Sequence, residues 1–382
     1  MAVSESFDVA VVGGGAIGLA CAWRASQRGA SVVVLDAGDP GAWNVAAGML
    51  APVSEAGYGE EHLLRLSLES SRRYEAFVGE LEDAGYRAVG TMVVARDRDE
   101  AEALDRLAEF RRGLGLPVER LRPSQARRLE PALAPTLRLA LDISSDHSVD
   151  PRKLVAALRR AVAGGEPVAG GAGAARGGVL RQARVRGLAT SGERVTGVVL
   201  ADGETLAADQ VVVAAGCDVA RLGMPEHARV PVRPVKGQVL RLRDPSGPGL
   251  TERTIRGEQG YFVPRGDGRY VLGATMEERG YDTTPTAGGV YELLRDLSEL
   301  VPGIFELEIE ELIAGLRPGT PDNLPAIGRG ALDGLVWATG HFRNGILLTP
   351  VTADLVAAAL AGESLPEWAA PADPLRFAGV HA

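Results

Sequence analysis

Residues 8–20, DVAVVGGGAIGLA, decide the fold. Residues 8–12 are a short apolar run rich in β-branched side chains, glycines follow, and residues 16–25 predict an apolar helix. A second apolar run, residues 31–35, comes after that helix. Near-continuous apolar strands are typical of a parallel sheet buried on both faces. The order strand, glycine turn, helix, strand therefore predicts a Rossmann-like unit at the beginning of the chain.

The glycines match the dinucleotide fingerprint G-x-G-x-x-G. Gly13 permits the tight turn, Gly15 lets the backbone approach a pyrophosphate at the helix N-terminus, and Gly18 lets the helix pack close to the strand. Asp36 lies 18 residues after Gly18, where a carboxylate can accept hydrogen bonds from ribose hydroxyls. The expected cofactor contacts in this unit are Gly13, Gly14, Gly15, Ala16, Ile17, Gly18 and Asp36. The fingerprint does not distinguish FAD from NAD, and its alternative is a glycine-rich turn without a ligand.

Size and charge restrict the class of protein. A chain of 382 residues exceeds the size of most single cores, so two domains are expected. The net charge of −9 argues against a nucleic-acid partner and against docking on an anionic membrane. Cys21 and Cys217 do not make a disulfide framework, and no Cys/His cluster has metal-site spacing. With no recognisable signal peptide or apolar span, we expect a cytoplasmic protein without a metal.

The order of patterns predicts an α/β protein, α+β overall, with two interleaved domains. The expected helices cover residues 60–84, 99–114, 151–163, 286–300 and 346–361, and the expected strands cover residues 87–95, 184–188, 197–200, 210–214, 239–243, 260–264, 270–274, 305–313 and 335–339. Residues 266–268 predict a hairpin turn, and the Gly/Ala-rich residues 164–178 predict a surface loop.

The domains are expected to be discontinuous in sequence. A Rossmann-like cofactor domain would comprise residues 1–85, 141–220 and 317–365. A substrate domain with a mixed or antiparallel sheet would comprise residues 86–140 and 221–316, followed by a C-terminal tail at 366–382.

Three later segments are more specific: AAGMLAP at 46–52, GLRPGTPD at 315–322 and ATGHFRNGILL at 338–348. With the fingerprint they resemble the D-amino-acid-oxidase superfamily of FAD-dependent oxidoreductases, from Asp8 to about Gly362. Within it the chain is most similar to the bacterial glycine oxidases of thiamin biosynthesis. The third segment is the most specific of the set. The resemblance implies that the dinucleotide is FAD.

The same resemblance implies the cofactor contacts. It places Ala47, Gly48 and Met49 near the isoalloxazine ring and Val185 against adenine through its backbone. It also implies contacts from Ala37, Trp43, Gly216, Gly340, His341, Phe342, Arg343, Asn344, Gly345, Ile346 and Leu347. Free N–H groups where the Gly340 loop enters a helix would stabilise the anionic reduced flavin. Members with covalent flavin carry a cysteine near the position of Gly315, so the implied FAD is non-covalent.

Arg317 is the strongest candidate for binding a substrate carboxylate, because a guanidinium can hold a carboxylate with two hydrogen bonds. Its flanking glycine and proline predict a turn. The alternatives are a surface arginine or one paired with Asp322. Resemblance makes Tyr261 a second carboxylate partner through its hydroxyl, and the alternative is a core aromatic.

Other candidates are less specific. Arg343 either lines the same site or pairs with a structural acid, and Met49 and Met276 either roof a small pocket or pack in a core. His341 is not expected to be a general base, because hydride transfer from Cα to N5 needs a neutral amine and good orientation. Some glycine oxidases carry histidine where this chain has Gln259.

The resemblance implies oxidation of glycine, or another small primary or secondary amine, to an imine that hydrolyses to glyoxylate and ammonia, with O2 reduced to H2O2. In the family the imine feeds thiazole synthesis, and members are often tetramers, so a homo-oligomer is expected. The alternatives are a sarcosine or D-amino-acid oxidase and a dehydrogenase that passes electrons to a quinone. A nicotinamide-binding dehydrogenase or redox-sensing protein is more remote, because it leaves residues 340–347 unexplained.

Overall fold

The computed structural model describes residues 6–164 and 178–378. Within these ranges the helices are α1 (Ala16–Gln27), α2 (Glu61–Gly79), α3 (Arg98–Gly113), α4 (Pro123–Leu129), α5 (Pro151–Gly164), α6 (Ala287–Ser298) and α7 (Thr349–Leu360). The strands are β1 (Ser6–Val12), β2 (Val32–Asp36), β3 (Met49–Leu50), β4 (Tyr86–Arg87), β5 (Thr91–Ala95), β6 (Glu119–Leu121), β7 (Leu139–Ile143), β8 (His147–Val149), β9 (Val179–Gln182), β10 (Val185–Ser191), β11 (Arg194–Leu200), β12 (Thr205–Val213), β13 (Arg233–Arg243), β14 (Thr254–Arg256), β15 (Tyr261–Pro264), β16 (Arg269–Gly273), β17 (Glu308–Gly319), β18 (Ala326–Arg329) and β19 (Leu335–Thr339). Apart from its two end residues, the loop expected at 164–178 lies outside the described residues.

The first sheet contains the N-terminal unit. Its strand order is β10-β11-β12-β1-β2-β9, and β19 pairs with β12 and with β18. The pairs β1–β2, β1–β12, β2–β9 and β12–β19 are parallel. Alternate residues of β1 enter two different cores, Val9 and Val11 on one face and Ala10 and Val12 on the other. The prediction of a parallel sheet buried on both faces is therefore confirmed.

The second sheet is mixed. Its order is β17-β13-β16-β15-β14-β5-β7-β6, and its pairs are antiparallel except for β14–β5. Phe262 and Leu272 contribute to a core on one face, which also contains Leu293 and Leu297 of α6. The expected hairpin is confirmed, since β15 and β16 pair around residues 265–268. A small third sheet has the order β3-β8-β4.

Several predicted elements need correction. The helix expected at 60–84 ends at Gly79. The strand expected at 87–95 is divided between β4 and β5, because Gly90 adopts a positive φ of +79° that ends the extended run. The strand expected at 305–313 begins only at Glu308 and continues to Gly319, after a 3₁₀ turn at Pro302–Glu306. The helix expected at 346–361 begins at Thr349.

The expected domain bounds remain a prediction. The bound at 140/141 falls within β7, and the bound at 316/317 falls within β17. Both strands belong to the second sheet. Apolar patterns distinguish the strands of the two sheets. Such a pattern continues without a break through a strand that crosses an expected domain boundary, so it does not locate the boundary.

Candidate active site

A large cavity of about 1020 Å³ lies between the two sheets. From the first sheet it is lined by the glycine turn after β1, the end of β2 and the residues that follow β12 and β19. From the second sheet it is lined by residues of β13, β15 and β17. The carboxyl ends of parallel strands and the face of a mixed sheet therefore enclose one space, as expected for a ligand site in a doubly wound fold.

The glycine turn is closely packed. Gly13 has a φ of +109°, and a Cβ there would come within 2.5 Å of the carbonyl oxygen of Ala214. A Cβ on Gly18 would overlap the carbonyl oxygen of Gly13. Helix α1 begins directly afterwards, and its N-cap, Gly15, provides no side-chain cap. The first N–H groups of α1 are thus free of side-chain partners at the cavity wall.

Asp36 organises this turn. Its Oδ2 accepts a hydrogen bond of 2.7 Å from the Gly14 N–H, and its Oδ1 accepts one of 2.9 Å from the Gly38 N–H. Arg159 Nη2 lies 3.7 Å from Oδ1. Asp36 also lines the cavity. Binding of ribose by this carboxylate remains a prediction. The structure shows that Asp36 also holds the glycine turn in place through these hydrogen bonds.

Most of the expected cofactor contacts line the cavity, namely Gly13, Gly14, Gly15, Ala16, Ile17, Asp36, Ala37, Trp43, Ala47, Gly48, Met49, Val185, Gly216, His341, Phe342, Arg343, Asn344, Gly345 and Ile346. Three others do not. Gly18 packs against Gly13, and Gly340 packs against Thr320. Leu347 lines a separate small cavity, and its carbonyl oxygen accepts a hydrogen bond of 2.6 Å from Ser70 Oγ.

The segment after β19 differs from the expected loop and helix. Gly340 has a φ of +75°, Phe342–Asn344 form a 3₁₀ turn, and α7 begins nine residues after Gly340. The N-terminus of α7 is therefore further along the chain than predicted, and cavity-lining residues 341–346 precede it. A glycine-containing loop follows β19 as expected, but the sequence pattern did not reveal this 3₁₀ turn.

His341 is a buried residue of this segment. Its Nε2 lies 2.9 Å from Thr352 Oγ1, and burial lowers the pKa of His341 to about 3. The imidazole is therefore neutral at physiological pH. A neutral, buried ring with a hydroxyl partner fits a role in positioning the backbone here, in agreement with the expectation that His341 is not a general base.

Arg317 lies in a strand and not in the predicted turn. It belongs to β17, an edge strand that pairs with β13, and a proline such as Pro318 is compatible with an edge. Arg317 Nη1 donates to the carbonyl oxygens of Lys236 at 3.2 Å and Thr275 at 3.1 Å, and the side chain lines the cavity. Asp322 is not its partner, because that carboxylate receives two hydrogen bonds from Arg376.

Tyr261 reaches toward the same guanidinium. It is the first residue of β15, and its ring lies against Gly273 on β16, where a Cβ would be 2.9 Å from the phenolic oxygen. Burial raises the pKa of the Tyr261 phenol, and the nearby Arg317 opposes that rise. A protonated hydroxyl and a guanidinium thus face the same part of the cavity.

Two glycines make this arrangement possible. Gly237 lies under the Arg317 guanidinium as Gly273 lies under the Tyr261 ring. Neither glycine was singled out from the sequence, although a glycine inside a strand pattern can indicate a close approach. Arg256 and Glu55, which the sequence did not predict as site residues, also line the cavity and form an ion pair of 2.7 Å. The sequence of β14, which contains Arg256, and of the loop that contains Glu55 has no motif that indicates a ligand site.

The remaining candidates also line the cavity. Arg343 lines the cavity, and its Nη2 lies 3.9 Å from Glu60 Oε1. Its place in the substrate site remains a prediction. Met49 is half-buried and Met276 is 59% exposed, which excludes core packing for Met276. Roofing of a small pocket by the two methionines remains a prediction.

Residues 6–164 and 178–378 contain no group of three or more His, Cys, Asp or Glu side chains suited to a metal ion. Among the helices in the same ranges, none has both the length and the apolar character needed to cross a membrane.

Comparison with known proteins assigns the family. The model of the DAO family, described as FAD dependent oxidoreductase, matches residues 8–359. The chain belongs to this family. It is 36% identical to the glycine oxidase of Geobacillus kaustophilus over 365 residues, 93% of each chain. The crystal structure of glycine oxidase from that organism superimposes with a TM-score of 0.88 at 34% identity, covering 98% of this chain and 99% of the other.

A further relative is longer. The bifunctional protein ThiO/ThiG of Synechocystis sp. is 34% identical over 382 residues, which are 97% of this chain and 54% of that protein. The predicted superfamily and fold class are confirmed by these matches. Membership of an FAD-dependent family also decides between the two dinucleotides that the fingerprint left open, in favour of FAD.

The site fits FAD on its own geometry. The turn at Gly13 and Gly18 has no room for side chains, and the uncapped start of α1 offers N–H groups and a partial positive charge to a pyrophosphate. The cavity continues from this turn past Trp43 and Met49 to Arg317 and Tyr261. One space can therefore hold a long dinucleotide and a small substrate together.

Proposed function

We propose that this protein is an FAD-dependent glycine oxidase. It would convert glycine to an imine that hydrolyses to glyoxylate and ammonia, with O2 reduced to H2O2. The observation that carries the proposal is the convergence of the Arg317 guanidinium and the Tyr261 hydroxyl on one wall of a cavity that also contains the fingerprint turn. Family membership and the similarity to glycine oxidases over nearly the whole chain support it.

The substrate carboxylate would bind at Arg317. Nη1 already donates to two carbonyl oxygens, which fix the fork and leave its other N–H groups for a carboxylate. Tyr261, kept protonated by its raised pKa, would donate a further hydrogen bond. Two donors at one end of a small amino acid determine where its Cα lies, and orientation of that carbon is the main requirement of the reaction.

FAD supplies the two-electron oxidation of the Cα–N bond when it is bound. The protein's own groups need not take up a proton from Cα in this scheme, in agreement with the neutral His341. Two observations support non-covalent attachment of the flavin. Gly315 has no side chain that could bond to it, and a Cβ there would meet Val45. Burial raises the pKa of the Cys217 thiol to about 12, so this thiol is protonated and a poor nucleophile.

The test is an absorbance spectrum of the purified protein before and after anaerobic addition of glycine. Flavin bands that bleach with glycine and return with air, together with formation of H2O2, would support the proposal. Flavin bands that remain would exclude glycine and direct the same test to sarcosine, proline and D-amino acids. Bleaching by glycine with little H2O2 in air would instead indicate a dehydrogenase. Release of flavin on acid precipitation would test the non-covalent attachment.

We also propose that the product serves thiamine biosynthesis, at the step that forms the thiazole. Similarity over 97% of this chain to a bifunctional protein named ThiO/ThiG supports this assignment. Loss of the gene should then make growth depend on added thiazole or thiamine. A homo-oligomeric state and a cytoplasmic location remain predictions from the sequence.

A further inference from the structure

A buried lysine lies next to the proposed carboxylate site, because its carbonyl oxygen accepts a hydrogen bond from Arg317. Lys236 is on β13, and its side chain is fully buried. Burial of an ammonium group is unfavourable unless charges and hydrogen bonds compensate it. The sequence pattern indicates no role for this residue, and the proposed reaction does not use its amino group.

The charge and the N–H donors of the Lys236 ammonium group are compensated by the segment of residues 275–284. Lys236 Nζ donates to the carbonyl oxygen of Thr284 at 2.6 Å. Its charge is balanced by Glu277, 3.7 Å away, and by Asp282, 3.6 Å away. The backbones are paired as well, because Lys236 and Glu277 form an antiparallel bridge with hydrogen bonds of 2.8 and 3.0 Å. Lys236 thus holds both ends of the segment.

The beginning of the segment is tied to β13 by a second set of contacts. Thr275 Oγ1 accepts from the Gln238 N–H at 2.9 Å and donates to Glu277 at 2.6 Å. Gln238 Nε2 donates to the same Glu277 carboxylate at 2.7 Å. Satisfied polar networks of this kind are rigid, because each group has its partner in one arrangement. The position of Thr275 therefore depends on the network around Glu277.

This segment reaches Arg317 and the cavity. Arg317 Nη1 donates to the carbonyl oxygens of Thr275 and of Lys236 itself. Met276 and Tyr281 of the segment line the cavity. Tyr281 also donates to the carbonyl oxygen of Cys217 at 3.0 Å, beyond β12 of the first sheet. Both acceptors that orient the guanidinium are consequently held in place by the lysine and the segment it binds.

We propose that Lys236 is a positioning residue for substrate binding: by holding residues 275–284 it fixes the two carbonyl oxygens that orient the Arg317 guanidinium. The inference rests on the proposed function, in which Arg317 binds the substrate carboxylate. Its chemical consequence is specific. Loosening the segment lets the guanidinium leave its orientation, so carboxylate affinity falls while the oxidation of bound substrate changes less.

The experiment compares Lys236→Met with Lys153→Met in the FAD-loaded protein. The Lys153 side chain is 43% exposed and pairs with Asp83. The readouts are KM and kcat for glycine and the dissociation constant of acetate, a non-reacting carboxylate probe followed by the flavin spectrum. Lys236→Met should raise KM and the acetate dissociation constant by about tenfold or more, the loss of a charge-assisted hydrogen bond, with kcat within about threefold. Lys153→Met should leave all three at the wild-type values.

A double variant tests the route of the effect. If Lys236 acts through Arg317, Lys236→Met should weaken acetate binding far less in an Arg317→Ala background than in the wild type. Equal effects in both backgrounds would overturn the proposal. Should Lys236→Met fail to fold, Thr275→Val loosens the same segment, and normal acetate affinity in that variant would also overturn it. Failure of the wild type to oxidise glycine would instead reject the proposed function.

Discussion

The guanidinium of Arg317 lies directly on Gly237, so that a Cβ at residue 237 would overlap Nη1, Nη2 and Cζ. Arg317 is on the edge strand β17 and Gly237 is on its neighbour β13. The side chain therefore extends across the surface of the sheet toward Tyr261 and does not stand away from it. A glycine on the neighbouring strand is the condition for this orientation.

The first prediction concerns that glycine. Gly237→Ala should displace the guanidinium and raise KM for glycine by about tenfold or more, because a charge-assisted hydrogen bond to the carboxylate is lost. Steady-state kinetics with glycine measure the effect. The FAD content should stay at the wild-type level, since the fingerprint turn is on the other sheet.

Gly288→Ala is the matched control, because a Cβ at that residue of α6 meets no atom within 4 Å. It should leave KM unchanged. An equal KM for Gly237→Ala and the wild type would show that Arg317 does not need its present orientation for substrate binding.

The second prediction concerns Arg317 itself. Arg317→Ala should keep the yellow colour of the protein but raise KM for glycine by about 10- to 100-fold, the range for loss of a hydrogen-bonded charge. Arg317→Lys should recover only a part of this loss, because an ammonium group lacks the planar fork that binds both carboxylate oxygens. The measurement is kcat and KM for both variants.

Arg98→Ala serves as the control for Arg317→Ala, since Arg98 pairs with Glu102 on an exposed face of α3. Unchanged kinetics in Arg317→Ala would end the carboxylate-binding assignment, whichever substrate proves to be oxidised.

A third prediction concerns cofactor binding at the turn. Gly15→Val should give a protein without flavin, because its side chain would project into the space where the backbone meets a pyrophosphate. A Cβ at Gly15 would lie 3.3 Å from the Trp43 ring, so little room exists for the two further carbons. The ratio of flavin absorbance to protein absorbance gives the occupancy.

Gly79→Val, at the exposed end of α2 where a Cβ meets nothing within 4 Å, is the control. It should retain full flavin occupancy. The same occupancy in Gly15→Val would contradict the expected placement of the phosphates.

The sequence predicted the elements that follow simple rules and missed those set by long-range contacts. The turn at Gly13 and Gly18 could be predicted because strand, glycine spacing and helix are adjacent in sequence. The surroundings of Arg317 could not, because Gly237 and Thr275 reach it only when β13, β16 and β17 pair. Local composition around Arg317 favoured a turn, whereas pairing with β13 made it a strand.

The same limit applies to Lys236 and to His341. A lysine within an alternating strand pattern gives no indication that residues some 40–50 positions later will surround it with carboxylates. His341 could be placed near the cofactor by its segment. Its depressed pKa, however, results from burial beside α7, which only the folded structure shows.

The last prediction uses that histidine. A free histidine has a pKa of about 6.5, whereas burial lowers the pKa of His341 to about 3. As the pH falls below about 6.5, the unfolded chain takes up a proton that the folded protein does not, so this group makes folding less stable. The loss amounts to about 1.4 kcal/mol per pH unit and continues until the pH reaches the folded-state pKa.

Replacing the imidazole by an amide removes this contribution. Between about pH 7.5 and about pH 5.5, the free energy of unfolding of the wild type should fall by about 1.4 kcal/mol more than that of His341→Gln. Urea unfolding of the FAD-loaded proteins at the two pH values measures the difference. His62→Gln, at an exposed position of α2, should follow the wild type, because that side chain is in contact with water in the folded protein. An identical pH dependence for wild type and His341→Gln would mean that the folded protein can protonate this imidazole, and a general-base role for His341 would then have to be tested.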